Sequence, residues 1–139
     1  MKILGFNFTK INIEKFSDNL EKLKMNTNID ILDIKQVKSN FLKSKEEIIG
    51  VKFNYIVDYS PNIAKLELNG NILLTTAPKI LKDIIKQWKD KKIPEGFRMA
   101  LFNIILRRST IKSLQLEDEM NLPPHINLPR VSNQQEKKE

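Results

Sequence analysis

The chain contains no cysteine, so neither a disulfide scaffold nor a thiolate metal site can be built from it. Its one histidine, His125, stands among prolines, which leaves too little nitrogen chemistry for a histidine-ligated metal or a histidine-activated nucleophile. Four scattered glycines supply neither a phosphate loop nor a dinucleotide fingerprint. The run Glu117-Asp118-Glu119 reads as a solvated charge cluster at a helix end. Together these features predict a non-enzyme without a cofactor. The longest apolar run, Met99 to Leu106, is broken by Asn103 and falls far short of the roughly 20 residues of a membrane crossing. The opening Met1-Lys2-Ile3-Leu4-Gly5-Phe6 lacks the apolar core of a secretory signal, which predicts a cytoplasmic protein.

What is present fits one domain. The chain has 139 residues, 40% hydrophobic and 29% charged, enough to bury about two-thirds of its unfolded surface. We expect that domain over residues 1–131, followed by a polar, disordered tail over 132–139. The net charge is +7, yet only four of the 24 basic residues are arginine and the lysines are spread along the chain. Dispersed lysine reads as a solvated surface rather than a nucleic-acid patch.

Hydrophobic periodicity supplies the elements. Leu4, Phe6 and Phe8 alternate, then Ile11 and Ile13 alternate on the opposite parity, which predicts a strand with a bulge near Thr9-Lys10. Phe16 to Asn28 carries Phe16, Leu20 and Leu23 at helical spacing and reads as a short helical turn or crossover loop. Ile29 to Ile34 reads as a second strand. Clear period-two patterns follow from Ile49 to Tyr59 and from Ala64 to Leu74, joined by Ser60-Pro61-Asn62; they predict an antiparallel hairpin with one wet face. Gly70 between two asparagines reads as a bulge or kink.

Thr76-Ala77-Pro78 opens a helix with proline at an early position. Its apolar stripe is Ile80, Leu81, Ile84, Ile85 and Trp88, and it stops before Ile93-Pro94. A second helix restarts at Pro94-Glu95-Gly96, apolar on most sides from Phe97 to Leu106 and amphipathic from Arg107 to about Glu119. An all-round apolar half-helix asks for covering on more than one side, which a second copy of the chain or a closely packed first helix would supply. The order predicts an α+β fold: a four-stranded antiparallel sheet with a crossover between the first two strands and two C-terminal helices packed on one face.

Met120 to Val131 reads Met-Asn-Leu-Pro-Pro-His-Ile-Asn-Leu-Pro-Arg-Val. Its prolines exclude a helix or a central strand, while Leu122, Ile126, Leu128 and Val131 predict a strap seated in surface grooves. Leu122 to Val131 resembles the pattern Phe-Pro-x-Leu-Asn-Leu-x-Pro-Val that follows the long helix of SecB protein-export chaperones. Phe8-Thr9-Lys10-Ile11-Asn12-Ile13-Glu14 is similar to that family's Tyr-Thr-Lys-Asp-Ile-Ser-Phe-Glu segment. The order of elements also resembles the SecB fold over residues 2–131.

The resemblance implies an ATP-independent holdase that binds unfolded or partly folded polypeptides in apolar grooves, prevents their aggregation and keeps preproteins export-competent. It implies a homo-tetramer, a dimer of dimers, with the long helix at an interface. The resemblance places the groove between the helical layer and the crossover region, which makes Phe41, Leu42, Tyr55, Tyr59, Trp88, Ile93 and Phe97 the expected client-binding residues, rimmed by Lys82, Lys86, Lys89, Lys91 and Lys92. Bacterial SecB proteins are acidic and continue into a segment that contacts the motor SecA. This chain is basic and stops soon after the motif, so client binding is expected rather than SecA coupling. Two alternatives are a nucleic-acid module using the basic first helix with Arg107-Arg108, and a chaperone dedicated to one antitoxin.

Overall fold

The computed structural model describes residues 1–38 and 46–131. Phe41, Leu42 and the expected polar tail lie outside the described residues. Four long antiparallel strands come first: β1 (Lys2–Lys15), β2 (Lys24–Val37), β3 (Glu47–Ser60) and β4 (Ala64–Thr76). The helices α1 (Pro78–Trp88) and α2 (Glu95–Glu119) follow. The sheet order is β1-β4-β3-β2, so the chain leaves one edge after β1 and enters the opposite edge as β2. The expected fold class is the observed one.

The β3–β4 hairpin is the centre of the sheet because its alternation is the cleanest. Val51, Phe53, Tyr55, Val57 and Tyr59 face the core beside Leu66, Leu68, Ile72 and Leu74, and all are buried. The opposite face is polar at its centre, although Ile48, Asn54 and Thr75 are buried on it. There Asn54 donates through Nδ2 to Glu67 Oε2 at 2.8 Å, and Lys10 Nζ lies 3.1 Å from Glu67 Oε1. Hydrogen bonds from Lys10 and then Asn54 hold the Glu67 carboxyl below its usual range.

Gly70 keeps a different place from the expected kink. β4 runs in unbroken register against β3 through Phe53↔Gly70. The irregularity lies across from it in β1, between Phe8 and Lys10. A Cβ on Gly70 would sit 2.6 Å from the Phe53 ring and 2.8 Å from the Asn7 carbonyl. Glycine is there for close approach: the Phe53 ring lies over it and meets Phe6 and Phe8 at 5.4 and 6.4 Å between centroids. The β1 bulges, with exposed Lys2 and Lys10, also blunt this edge strand against unwanted pairing.

Of the two readings of the first crossover the loop is the one observed, and the start of β2 is corrected. Residues 16–23 form no helical turn; Ser17 Oγ accepts from the Asn19 N–H and Asn19 Oδ1 from the Glu21 N–H, local bonds that compete with a helix. The N–H groups of Phe16 and Ser17 both donate to the Ile63 carbonyl, the first at 2.7 Å, which ties the crossover to the β3–β4 turn. β2 also begins five residues before the expected Ile29, because Lys24 to Asn28 pairs with Ile56 to Ser60. Tertiary pairing there overrides the weak strand preference of Asn26 and Asn28.

Both helices pack on the core face. α1 lies over β2 and β3 and buries Leu81 and Ile84. α2 buries one stripe at spacing four: Phe97, Leu101, Ile105, Ser109, Ser113 and Glu117. Both end in a left-handed residue, Lys91 (φ 58°) and Asn121 (φ 54°). In each, the next N–H reaches back five residues, Lys92 to the Gln87 carbonyl and Leu122 to the Glu117 carbonyl.

Gly70→Ala should lower stability by about 1–3 kcal/mol by forcing the Phe53 ring or the β1 backbone to shift, read from the urea midpoint. Gly5→Ala, whose added Cβ meets nothing within 4 Å, should leave that midpoint close to wild type.

Candidate functional site

The buried stripe of α2 changes chemistry along its length, and the sheet changes with it. Phe97, Leu101 and Ile105 are apolar; beyond them come two small serines and a carboxylate, opposite the large rings of Tyr55 and Tyr59. Small residues let the helix ride over those rings. The Ser109 and Ser113 hydroxyls are buried without a hydrogen-bond partner among the described residues. Glu117, 1% exposed, is therefore no part of a solvated charge run. It faces inward as the next member of a four-residue repeat.

Glu117 collects donors from two directions. Tyr59 donates its hydroxyl to Oε2 in a short hydrogen bond. His125 donates its backbone N–H to Oε1 at 3.3 Å and approaches the same oxygen with Nδ1 at 2.9 Å. A carboxylate at Nδ1 places the ring proton there, which leaves Nε2 to accept from the Tyr55 hydroxyl at 3.0 Å. His125 thus has an acidic partner, supplied by the last turns of α2. Burial first, then the hydrogen bond to Glu117, pushes the Tyr59 phenol far above its usual range; burial also raises Tyr55.

This network decides how the strap lies. Asn121 in the left-handed conformation turns the chain so that Leu122 drops into the core and His125 follows. The expected grooves for the rest are not used. Ile126 and Leu128 are exposed and Val131 is 80% exposed, because the inward position between the prolines is taken by His125.

The residues expected to bind clients fall in different places. Tyr55, Tyr59 and Phe97 are enclosed in the core. Trp88 and Ile93 are half-buried where α1 turns into α2, with Lys91 Nζ 4.5 Å above the Trp88 ring. Open apolar surface lies elsewhere, along the seam between β1 and α2. A groove of about 540 Å³ is lined there by Ile3, Phe6, Asn103, Ile104, Arg107, Arg108 and Ile111. Ile3 is 49% and Ile111 52% exposed. The sequence does carry its signal: positions 104, 107, 108 and 111 form one helix face beside the 97–101–105 stripe. Nearby, Met99 is exposed and Phe102 half-buried on the outer side of α2. Among the described residues no cluster of three or more metal-ligating side chains occurs, and no helix is long and apolar enough to cross a membrane.

The network makes two measurable predictions. Tyr59 keeps its proton to higher pH when folded than when unfolded, so its contribution is complete below about pH 10 and is lost as pH rises further. The urea midpoint should fall above that pH, and less steeply in Tyr59→Phe. Glu117→Ala leaves three buried donors without an acceptor; it should cost about 3 kcal/mol and speed amide exchange from Leu122 to Ile126.

No protein-family model matches the chain, and no curated protein sequence does. Among solved structures, it is similar to the Mycobacterium tuberculosis SecB-like chaperone Rv1957 in complex with a ChAD peptide from the antitoxin HigA1 (Rv1956). The identity is 11%, the match covers 95% of this chain and 91% of that chain, and the TM-score is 0.49.

Proposed function

We propose that this protein is an ATP-independent chaperone that holds unfolded or partly folded polypeptides through exposed apolar surface. One observation carries the reading: the β1–α2 seam brings Ile3, Phe6, Ile104 and Ile111 together as one open apolar groove. Such a surface gives affinity through area rather than through a fixed set of donors and acceptors, which suits clients without a common sequence. The likeness of Leu122–Val131 and Phe8–Glu14 to SecB segments supports the same reading. Trp88 and Ile93 extend the client surface in this proposal, together with Phe41 and Leu42. Tyr55, Tyr59 and Phe97 contribute by holding the walls in place. A tetramer would bury the outer side of α2 at Met99, Phe102 and Leu106. A client range narrowed to one antitoxin uses the same surface, and a pull-down with one dominant partner tells it from a general range.

The competing reading is a nucleic-acid module, favoured by Lys79, Lys82, Lys86 and Lys89 along the solvent side of α1. Salt separates the two, because phosphate contacts weaken steeply as counterions accumulate and apolar contacts do not. Light scattering of an unfolded test protein diluted into buffer should be suppressed at near-equal ratios, with little loss at about 0.5 M salt. Ile104→Ser with Ile111→Ser should weaken that protection at least about fivefold, the equivalent of roughly 1 kcal/mol of lost apolar contact. Unchanged aggregation in the presence of the wild-type protein would refute the proposal.

A further inference from the structure

The β1–α2 groove has a charge pattern as definite as its apolar floor. Its rim carries two guanidinium groups, Arg107 and Arg108, and one amide, Asn103, and no carboxylate lines it. The Arg108 guanidinium lies 4.8 Å over the Phe6 ring. The same arrangement recurs at two other half-buried aromatics: Arg98 stands 5.1 Å over Phe102, and Lys91 stands 4.5 Å over Trp88. Each of these rings is roofed by an exposed cation.

A roof of that kind sets the terms of entry. A cation over a ring face gains about 0.5–1 kcal/mol at an exposed site, and an incoming apolar side chain must move it aside to reach the ring. The displaced guanidinium then needs a new partner. A client with a carboxylate next to its apolar residue supplies one, and Arg donates to a carboxylate through two parallel N–H groups, a geometry that lysine cannot match. A client with lysine or arginine at that place meets like charge instead.

Resting on the chaperone reading above, we infer that the β1–α2 groove selects extended segments in which apolar and acidic residues alternate, and discriminates against apolar segments carrying basic residues. Arg107 and Arg108 are the discriminating residues, and Ile3, Phe6, Ile104 and Ile111 supply the affinity. β1 is the sheet edge on this side, so the groove is open along its length to an extended chain. The period of two in such a chain puts its apolar side chains on the floor and its carboxylates in line for the rim.

The test uses the full chain and labelled synthetic peptides that share one set of alternating leucine and phenylalanine residues and differ only in the intervening residue: glutamate, glutamine or lysine. Fluorescence anisotropy should rank them in that order, with glutamate about tenfold tighter than lysine at low salt and the gap narrowing at about 0.5 M salt. Arg107→Glu with Arg108→Glu should reverse the order of the glutamate and lysine peptides, with an unchanged urea midpoint reporting that the variant is folded; an unchanged order in this variant would overturn the inference. Equal binding of the glutamate and lysine peptides would overturn the inference while the chaperone reading stood. If the glutamine peptide fails to bind and aggregation is not suppressed, the chaperone reading falls first. A peptide of alternating glutamate and serine, or an oligonucleotide, that binds as tightly as the glutamate-apolar peptide would overturn the inference in favour of a simple polyanion surface. So would an Ile104→Ser, Ile111→Ser variant that changes the sedimenting mass but not peptide affinity, because the groove would then belong to a second copy of the chain.

Discussion

One carboxylate ties the three layers of this molecule together. Glu117 belongs to α2, accepts from Tyr59 in the central strand β3, and holds His125 of the segment that follows the helix. A buried carboxylate is stable only when its lone pairs are filled, so the position of each partner constrains the others. The serines at 109 and 113, the left-handed Asn121 and the inward turn of Leu122 all follow from bringing that group over the tyrosine rings. The strap is therefore fastened by polar chemistry at one point rather than by apolar burial along its length.

The apolar floor on which this rests is built from one face of the sheet. Period-two alternation in β3 and β4 made that face legible before any coordinates, as did the stripe of α2. What could not be read is set by pairing at a distance. Asn26 and Asn28 have little reason of their own to be in a strand and are there because β3 is long enough to hold them. Gly70 showed that something close happens at that position, but only the Phe53 ring says what. At the crossover, Phe16, Leu20 and Leu23 share a helical spacing that lost to side-chain bonds from Ser17 and Asn19.

The candidate site was harder to read than the fold, for a physical reason. Aromatic residues serve both as core and as contact surface, and the alternation that marks a strand does not say which of its rings a helix will cover. Tyr55 and Tyr59 went under α2, whereas Phe6, at an edge, stayed half open beneath Arg108. The partner of the sole histidine is hard to read from sequence because it lies eight residues back, at the end of a buried repeat that includes serine.

The strand order also sets the sequence of events at synthesis. The middle of the sheet, β3 with β4, is its most local pairing, and loop closure makes that contact quick. β1 has no such neighbour: Lys2 pairs with Thr75 and Phe6 with Ile72. A chain emerging from its N-terminus must carry Phe6, Phe8 and Ile11 uncovered until β4 has been made. During that interval the nascent protein presents an alternating apolar strand that has no partner of its own. Lys2, Lys10 and the two bulges of β1 then limit its pairing with other chains, so the devices that blunt this edge in the folded protein already protect the chain while it is being made.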